Sequence, residues 1–319
     1  MFKFLNLNRT YYSSMYKNQL AILFILLINC LVAQDLKPFY VSENWLSKIY
    51  DLAPTEPTVK IEEKKSILVF SLHTGFKHWT IPHTEAVIKV LGEKSGAFHV
   101  VASNDISIFK KEELRKYDAI ILNNNCSIDP RRNLFLDVLD FNSTLTDREK
   151  IDLAENLENN LLTYVKNGGG LVVLHGGITM LNKSMDFSNL VGGSFDYHPK
   201  QQKIKVHLSE KDHPLVGAFN GTGFEHIDEP YIFNNAYEDM DFRPLLFMKT
   251  EEIEGLPRDI EDNIKYISWI KRYGEGRVFY CSPSHNPQSY NNPELLQFIL
   301  DGIQYAVGDF KCDDSPLKK

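Results

Sequence analysis

Residues 168–177 read "GGGLVVLHGG". Three glycines open a run of Leu171, Val172, Val173 and Leu174, which stops at His175 before two more glycines. An apolar run without polar alternation is the mark of a strand covered on both faces. Three earlier stretches read the same way: "SILVF" (66–70), "FHVVA" (98–102) and "AIILN" (119–123). Helix-length segments separate them. Residues 82–96 space Ala86, Val87, Val90 and Leu91 along one helical face. A second segment begins with Thr146 and Glu149 in capping-box spacing, places Ile151, Leu157, Leu161 and Val165 on one stripe, and stops at the glycines of 168–170. Strands alternating with helices predict a largely parallel, doubly wound α/β sheet.

Beyond residue 200 the texture changes. "KIKVHL" (203–208), "LLFMKT" (245–250), "YISWI" (266–270) and "GRVFYCS" (276–282) read as strands joined by turns, followed by a helix over 293–306. The sheet is therefore expected to continue through antiparallel strands, with the last helix packed back on it. The expected organisation is a lead-in over 34–64, one domain over 65–308 and a tail over 309–319.

The first 33 residues carry a different message. Lys17 precedes an apolar run from Leu20 to Ile28, and Leu31, Val32 and Ala33 stand before Gln34. This is the layout of a secretory leader cleaved near Ala33, with Met15 as an alternative start, and its run is short of the roughly 20 residues of a membrane span. A lipid anchor at Cys30 is the minor alternative. The mature protein is expected outside the cytoplasm, periplasmic or extracellular, with no stable membrane span. Without residues 1–33 the chain has 32 basic and 42 acidic residues and no basic block, which argues against nucleic acid as a partner. Cys126, Cys281 and Cys312 share no C-x-x-C spacing, so neither a zinc knuckle nor a disulfide framework is written here.

In open α/β sheets ligands bind beyond the carboxyl ends of the parallel strands. On this chain those ends carry "SLHTGFKHWTIPH" (71–83), Asn123 to Asn125, and His175 with Gly176 and Gly177. Polar groups gather on one rim, and glycines let backbone approach a ligand. No G-x-G-x-x-G, no P-loop and no G-x-S-x-G is present, which removes dinucleotide, P-loop and serine-hydrolase readings.

Five segments, "ILVFSLHTGFKHWTIP", "GGGLVVLHGG", "LVGGSFDYHP", "DHPLVGAF" and "GEGRVFYCSPSHNPQSY", follow one another over residues 67–290. Together they resemble the ThuA-like (trehalose utilisation) family. The resemblance implies a class I glutamine amidotransferase-like, flavodoxin-related fold. In amidotransferases of that fold the strand-to-helix elbow carries a nucleophilic cysteine, whereas His175 stands there in this chain, so glutaminase chemistry is not expected. The resemblance places the family's "GF-K/R-H" turn at Gly75, Phe76, Lys77 and His78, and its "G-x-F-x-x-HP" segment at Gly193, Phe195, His198 and Pro199. Its acidic pair falls on Asp228 and Glu229, with an unexpected Pro230 behind it. Its last element falls on His285 and Tyr290, with Ser284 in place of glycine. Residues 127–145 read as an insertion beside the rim, suited to a lid or specificity loop.

These readings converge on a histidine–carboxylate centre. His175, His78, His285 and Glu229 are the expected catalytic set. Lys77, Asn124, Phe195, His198, Tyr231 and Tyr290 are the expected substrate contacts, the aromatics stacking on sugar rings. His175, His198, Glu229 and His285 are candidate ligands for a divalent ion such as zinc, the one cofactor considered. The plainer reading is that these histidines only hydrogen-bond across loops. The expected function is an exported protein of carbohydrate catabolism, an isomerase, lyase or hydrolase of a sugar or keto-sugar derivative, with a non-catalytic carbohydrate-binding protein as the alternative.

Overall fold

The computed structural model describes residues 36–257 and 262–317. Its contacts divide the chain into residues 1–35 and 36–319, and the leader, its cleavage at Ala33 and Cys30 lie outside the described residues. Among the described residues no helix is long and apolar enough to cross a membrane.

Within 36–319, α1 (Glu43–Leu52) precedes β1 (Lys65–Phe70), α2 (Ile81–Ser95), β2 (Phe98–Ser103), α3 (Lys111–Leu114) and β3 (Ala119–Asn123). Then come α4 (Leu134–Leu139), α5 (Asp147–Lys166) and β4 (Gly170–Leu174). β3 and β4 are buried at every position. Successive side chains point to opposite faces of a strand, so both faces of these two are covered. They pair in parallel in the order β2–β1–β3–β4. β2 departs from the expectation of two covered faces: it is the edge strand, and Val101 is 42% exposed. Thr146 caps α5 through both bonds of the capping box. Ala154, Leu157, Leu161 and Val165 form its buried stripe, while Ile151 at its start is left exposed.

After α6 (Met185–Val191) the chain forms β5 (Ser194–Tyr197), β6 (Gln202–Leu208), β7 (Phe224–Asp228), β8 (Ile232–Asn234), β9 (Arg243–Lys249), β10 (Ile264–Tyr273) and β11 (Gly276–Cys281). β11 pairs with β4 in parallel, and β10, β9, β6 and β7 continue outward antiparallel, completing nine strands. β5 and β8 make a separate two-stranded ribbon. α7 (Pro293–Ala306) is buried almost all round, and a Cβ on its Gly302 would enter the Phe279 ring, so the glycine lets helix and sheet close up. α1 adds Trp45 and Ile49 to the same core.

Residues 127–145 are not a loose flap. They contain α4, bury Leu134 and Phe135, and carry a buried Asp137. Asp137 accepts from the Thr74 hydroxyl at 2.6 Å and the Ile128 amide at 2.8 Å, and pairs with Arg131.

Candidate functional site

Four segments end at one place on the rim. The loop after β1 carries His78, and the amides of Thr74 and Gly75 both donate to the Cys126 carbonyl, at 2.9 and 2.8 Å, tying it to the loop after β3. β4 runs straight into His175, whose φ of 44° costs a non-glycine residue about 1–2 kcal/mol. The next two glycines are spatial requirements. A Cβ at Gly176 would stand 2.8 Å from His78 Cε1, and one at Gly177 would stand 2.7 Å from the Leu122 carbonyl oxygen. Glu229 follows β7, and His285 lies in the loop after β11.

His175 Nδ1 donates to the Ser282 carbonyl at 3.0 Å. A carbonyl only accepts, so the proton sits on Nδ1 and the neutral ring keeps a lone pair on Nε2. That lone pair faces His285 Nδ1 at 3.1 Å and Glu229 Oε2 at 3.3 Å. His285 Nδ1 is also 3.1 Å from the same carboxylate oxygen. Three electronegative atoms therefore form a triangle, and at most one hydrogen, that of His285 Nδ1, lies inside it while both rings are neutral. A proton or a cation must hold such a triangle together.

The electrostatics agree. Burial lowers the His175 pKa to about 4, against the pull of Glu229. Burial also opposes the Glu229 carboxylate, but the hydrogen bond from His285, together with His175 whenever that ring is protonated, outweighs it and holds its pKa far below the usual range. At His285 burial is outweighed by the hydrogen bond and charge of Glu229, and its pKa rises. His78 is buried against Cys126, with Nδ1 3.6 Å from Sγ, and its ring lies 5.0 Å from those of His175 and His285. Burial and the neighbouring imidazoles push its pKa well below the ordinary value.

Residues 66–306 match the family model described as trehalose utilisation, ThuA. The chain belongs to the ThuA family. Its fold is similar to that of a ThuA-like protein from Bacteroides uniformis, at 17% identity and a TM-score of 0.57, over 85% of this chain and 95% of that one. A ThuA-like protein from Parabacteroides merdae is similar at 18% identity and a TM-score of 0.53, over 81% and 93%. No curated protein matches the chain.

In this ThuA-family chain, His78, His175, Glu229 and His285 each offer one ligand atom, all within 4.8 Å of one another. Ligands about 2.0 Å from a tetrahedral zinc lie about 3.3 Å apart, close to the 3.1–3.3 Å sides of the triangle. Imidazole and carboxylate are also the donors zinc accepts. The His175, His285 and Glu229 atoms fit a divalent ion, with His78 offering a fourth ligand atom within 4.8 Å of them. His78 completes the set where the sequence reading placed His198, which stands at the solvent lip, its side chain 34% exposed and Nε2 3.7 Å from Glu229 Oε2. His198 Nδ1 donates to the Pro199 carbonyl at 2.8 Å, so its Nε2 also carries a lone pair.

The other expected contacts divide. Tyr231 lies against His175 at 4.1 Å between ring centroids but is only 3% exposed, packed between His175, Phe195 and His198, so it offers no open face to a sugar; Phe195, 4.6 Å from Tyr231, is half-buried. Lys77 is exposed on the His78 loop. Asn124 is fully buried and braces the turn after β4: its amide donates to the Leu174 carbonyl at 3.3 Å, and its Oδ1 accepts from the Gly176 amide at 3.4 Å. Tyr290 is fully buried with its hydroxyl 2.7 Å from Thr84 Oγ1, which leaves no ring face for a sugar.

Two further groups sit behind the triangle. Asp228 is buried and accepts from the Glu229 amide at 2.8 Å and from the His285 backbone, linking the two loops that carry the acid and the imidazole. Burial lifts its pKa to about 7. The His226 Nδ1 atom is 3.3 Å from Asp228 Oδ2 and 3.0 Å from the Ser289 hydroxyl oxygen. Sequence reasoning missed His226, since a histidine inside a polar edge strand carries no signal. Cys126 and Cys281 are enclosed, and burial pushes the Cys126 thiol up to about 11, so no thiolate stands beside His78.

Proposed function

We propose that this ThuA-family protein is an exported enzyme of carbohydrate catabolism that acts on a sugar or keto-sugar derivative by histidine acid–base chemistry. The observation that carries the reading is the His175–His285–Glu229 triangle, with sides of 3.1–3.3 Å, at the carboxyl rim of a parallel sheet. The family description supports a sugar as substrate class, and the pattern of residues 17–33 supports export.

His175 is fully enclosed, so its part is to hold Glu229 and His285 in place rather than to meet the substrate. His198, at the lip, is the base: its Nε2 lone pair takes the proton from the carbon beside a sugar carbonyl. The imidazolium so formed lies 3.7 Å from the Glu229 carboxylate, which stabilises it. His285, whose pKa Glu229 raises, supplies positive charge to polarise the carbonyl oxygen when its ring is protonated. Return of the proton to the neighbouring carbon completes an isomerisation, and its delivery to a leaving oxygen completes an elimination. A divalent ion held by His78, His175, Glu229 and His285 would supply Lewis acidity to the same oxygen.

The test is turnover of mono-oxidised (keto) trehalose, followed by NMR, with metal content measured alongside. His198→Gln and Glu229→Gln are each expected to lower turnover by about 10²-fold or more while the sugar still binds. Binding without turnover in the unaltered protein would replace this reading with the non-catalytic carbohydrate-binding one. Neither binding nor turnover would overturn it.

A further inference from the structure

Among the described residues, the aromatic rings left open to solvent are those of Tyr40, Tyr50, Phe76 and Phe141. Of these four only Phe76, 61% exposed, touches the histidine cluster: it meets His78 edge to face, with 4.8 Å between ring centroids. His78 in turn lies 5.0 Å from the rings of His175 and His285. The other aromatics of the site have no comparable face to offer. Tyr231 is 3% exposed, Tyr290 is fully buried and Phe195 is half-buried.

The ring of Phe76 is held out on a pinned backbone. The two residues before it both donate their amides to the Cys126 carbonyl, and the Thr74 hydroxyl donates to Asp137 at 2.6 Å. Gly75 lies so close to the next segment that a Cβ there would collide with the Ser127 carbonyl oxygen. Ile128, on that segment, is itself 43% exposed. An exposed phenyl forgoes the gain that burial brings. In return, a ring whose backbone is fixed in advance loses little freedom when a ligand arrives. An aromatic face suits a partner with one flat apolar side and polar groups at its edge. A cyclic sugar has such a side, made of its ring C–H groups, whereas an open-chain polyol has none.

We propose that Phe76 is a specificity-determining residue of this site, whose ring takes the apolar face of the substrate and selects the closed, cyclic form over open-chain polyols. This rests on the sugar-processing reading above. It also gives residues 127–137 a part, since Ser127 and Asp137 hold the loop from which the ring projects.

Kinetics on mono-oxidised trehalose, and calorimetric titration of the full chain with trehalose and with sorbitol, an open-chain polyol, test it. Phe76→Ala should raise KM roughly tenfold with little change in kcat, as expected for an aromatic contact made equally in the ground and transition states. Phe76→Trp should keep the wild-type KM, whereas Phe76→Leu, apolar without a flat face, should behave like the alanine variant. The unaltered protein should prefer trehalose to sorbitol, and Phe76→Ala should lose that preference. Because the ring is exposed, all three variants should keep the wild-type urea midpoint. A wild-type KM in Phe76→Ala or Phe76→Leu, or a raised KM together with a lowered urea midpoint, overturns the assignment and leaves the sugar-processing reading standing. Trehalose binding without turnover in the unaltered protein overturns the enzyme reading alone: weaker trehalose binding in Phe76→Ala then upholds the assignment, and unchanged binding overturns it. Neither turnover nor binding in the unaltered protein overturns both.

Discussion

Gly176→Ala places one methyl group at the tightest point of the site. Its Cβ would stand 2.8 Å from His78 Cε1 and 2.9 Å from Cys126 Sγ, whereas carbon atoms settle about 3.5–4.0 Å apart. Each neighbour must therefore retreat by roughly 1 Å. Neither has room, since His78 is 2% and Cys126 4% exposed. Overpacking of this kind costs about 1–3 kcal/mol. The displaced imidazole also belongs to the set of four candidate ligands, and such a site tolerates errors of only about 0.2 Å. Zinc affinity should fall roughly 10- to 100-fold, the range for disturbing groups that orient ligands. Gly217→Ala is the control, because nothing lies within 4 Å of its Cβ and its φ is not positive. There alanine should be neutral or should stabilise by about 0.4–1 kcal/mol. Urea unfolding followed by circular dichroism reads the stability arm, and competition with a chromogenic chelator reads the zinc arm. Wild-type unfolding and wild-type zinc affinity in Gly176→Ala would refute the argument that close approach requires this glycine. A wild-type chain that binds no zinc would refute the metal reading, and the stability arm would still test the packing.

Two further outcomes are expected away from the triangle. Burial raises the Asp301 carboxyl in α7 to about 6, against hydrogen bonds from Thr58 and Gln297. The folded chain thus holds this proton longer than the unfolded chain, so the contribution to stability is complete below about pH 4 and is lost as the pH rises through 6. Asp301→Asn does not titrate and should gain on the wild type by up to about 3 kcal/mol between pH 4 and pH 7; a gap that stays constant in urea titrations at the two pH values would contradict this. Burial pushes the Cys126 thiol up to about 11 and raises that of Cys281 further. Burial raises the Cys312 thiol as well, to about 12, so access decides: peptide mapping after a brief native treatment with a thiol reagent should show neither Cys126 nor Cys281 labelled, with Cys312, which is only partly buried, as the slowly reactive one of the three. Fast native labelling of Cys126 would contradict its enclosure beside His78.

Much of the scaffold was legible because its signals are local. The apolar runs of β3 and β4, the Thr146–Glu149 cap of α5 and the stripe of α7 each lie within a few residues of one another along the chain. Elements with weaker local signals were missed. β7 is a polar edge strand, and β5 and β8 are only 4 and 3 residues long. β11 was grouped with its antiparallel sequence neighbours, yet it pairs in parallel with β4, and no local pattern distinguishes the two pairings. Similar limits governed the site. Phe195 stays half-buried beside the cluster, but Tyr231 and Tyr290, aromatics equally suited by type, are enclosed, Tyr231 against His175 and Tyr290 with its hydroxyl on Thr84, 206 residues away in sequence.

By itself, then, the sequence determined the parallel sheet, the ThuA-like pattern and the placing of a histidine where β4 breaks at the rim, since each follows from residue type and short-range spacing. Only the tertiary structure decided what that histidine does. Its Nδ1 meets a carbonyl 107 residues away, which fixes its lone pair on Nε2. That lone pair meets Glu229 and His285 because β7 and β11 end nearby. The protonation of each ring is set by its enclosure and its partners, and both arise only when segments distant in sequence fold together.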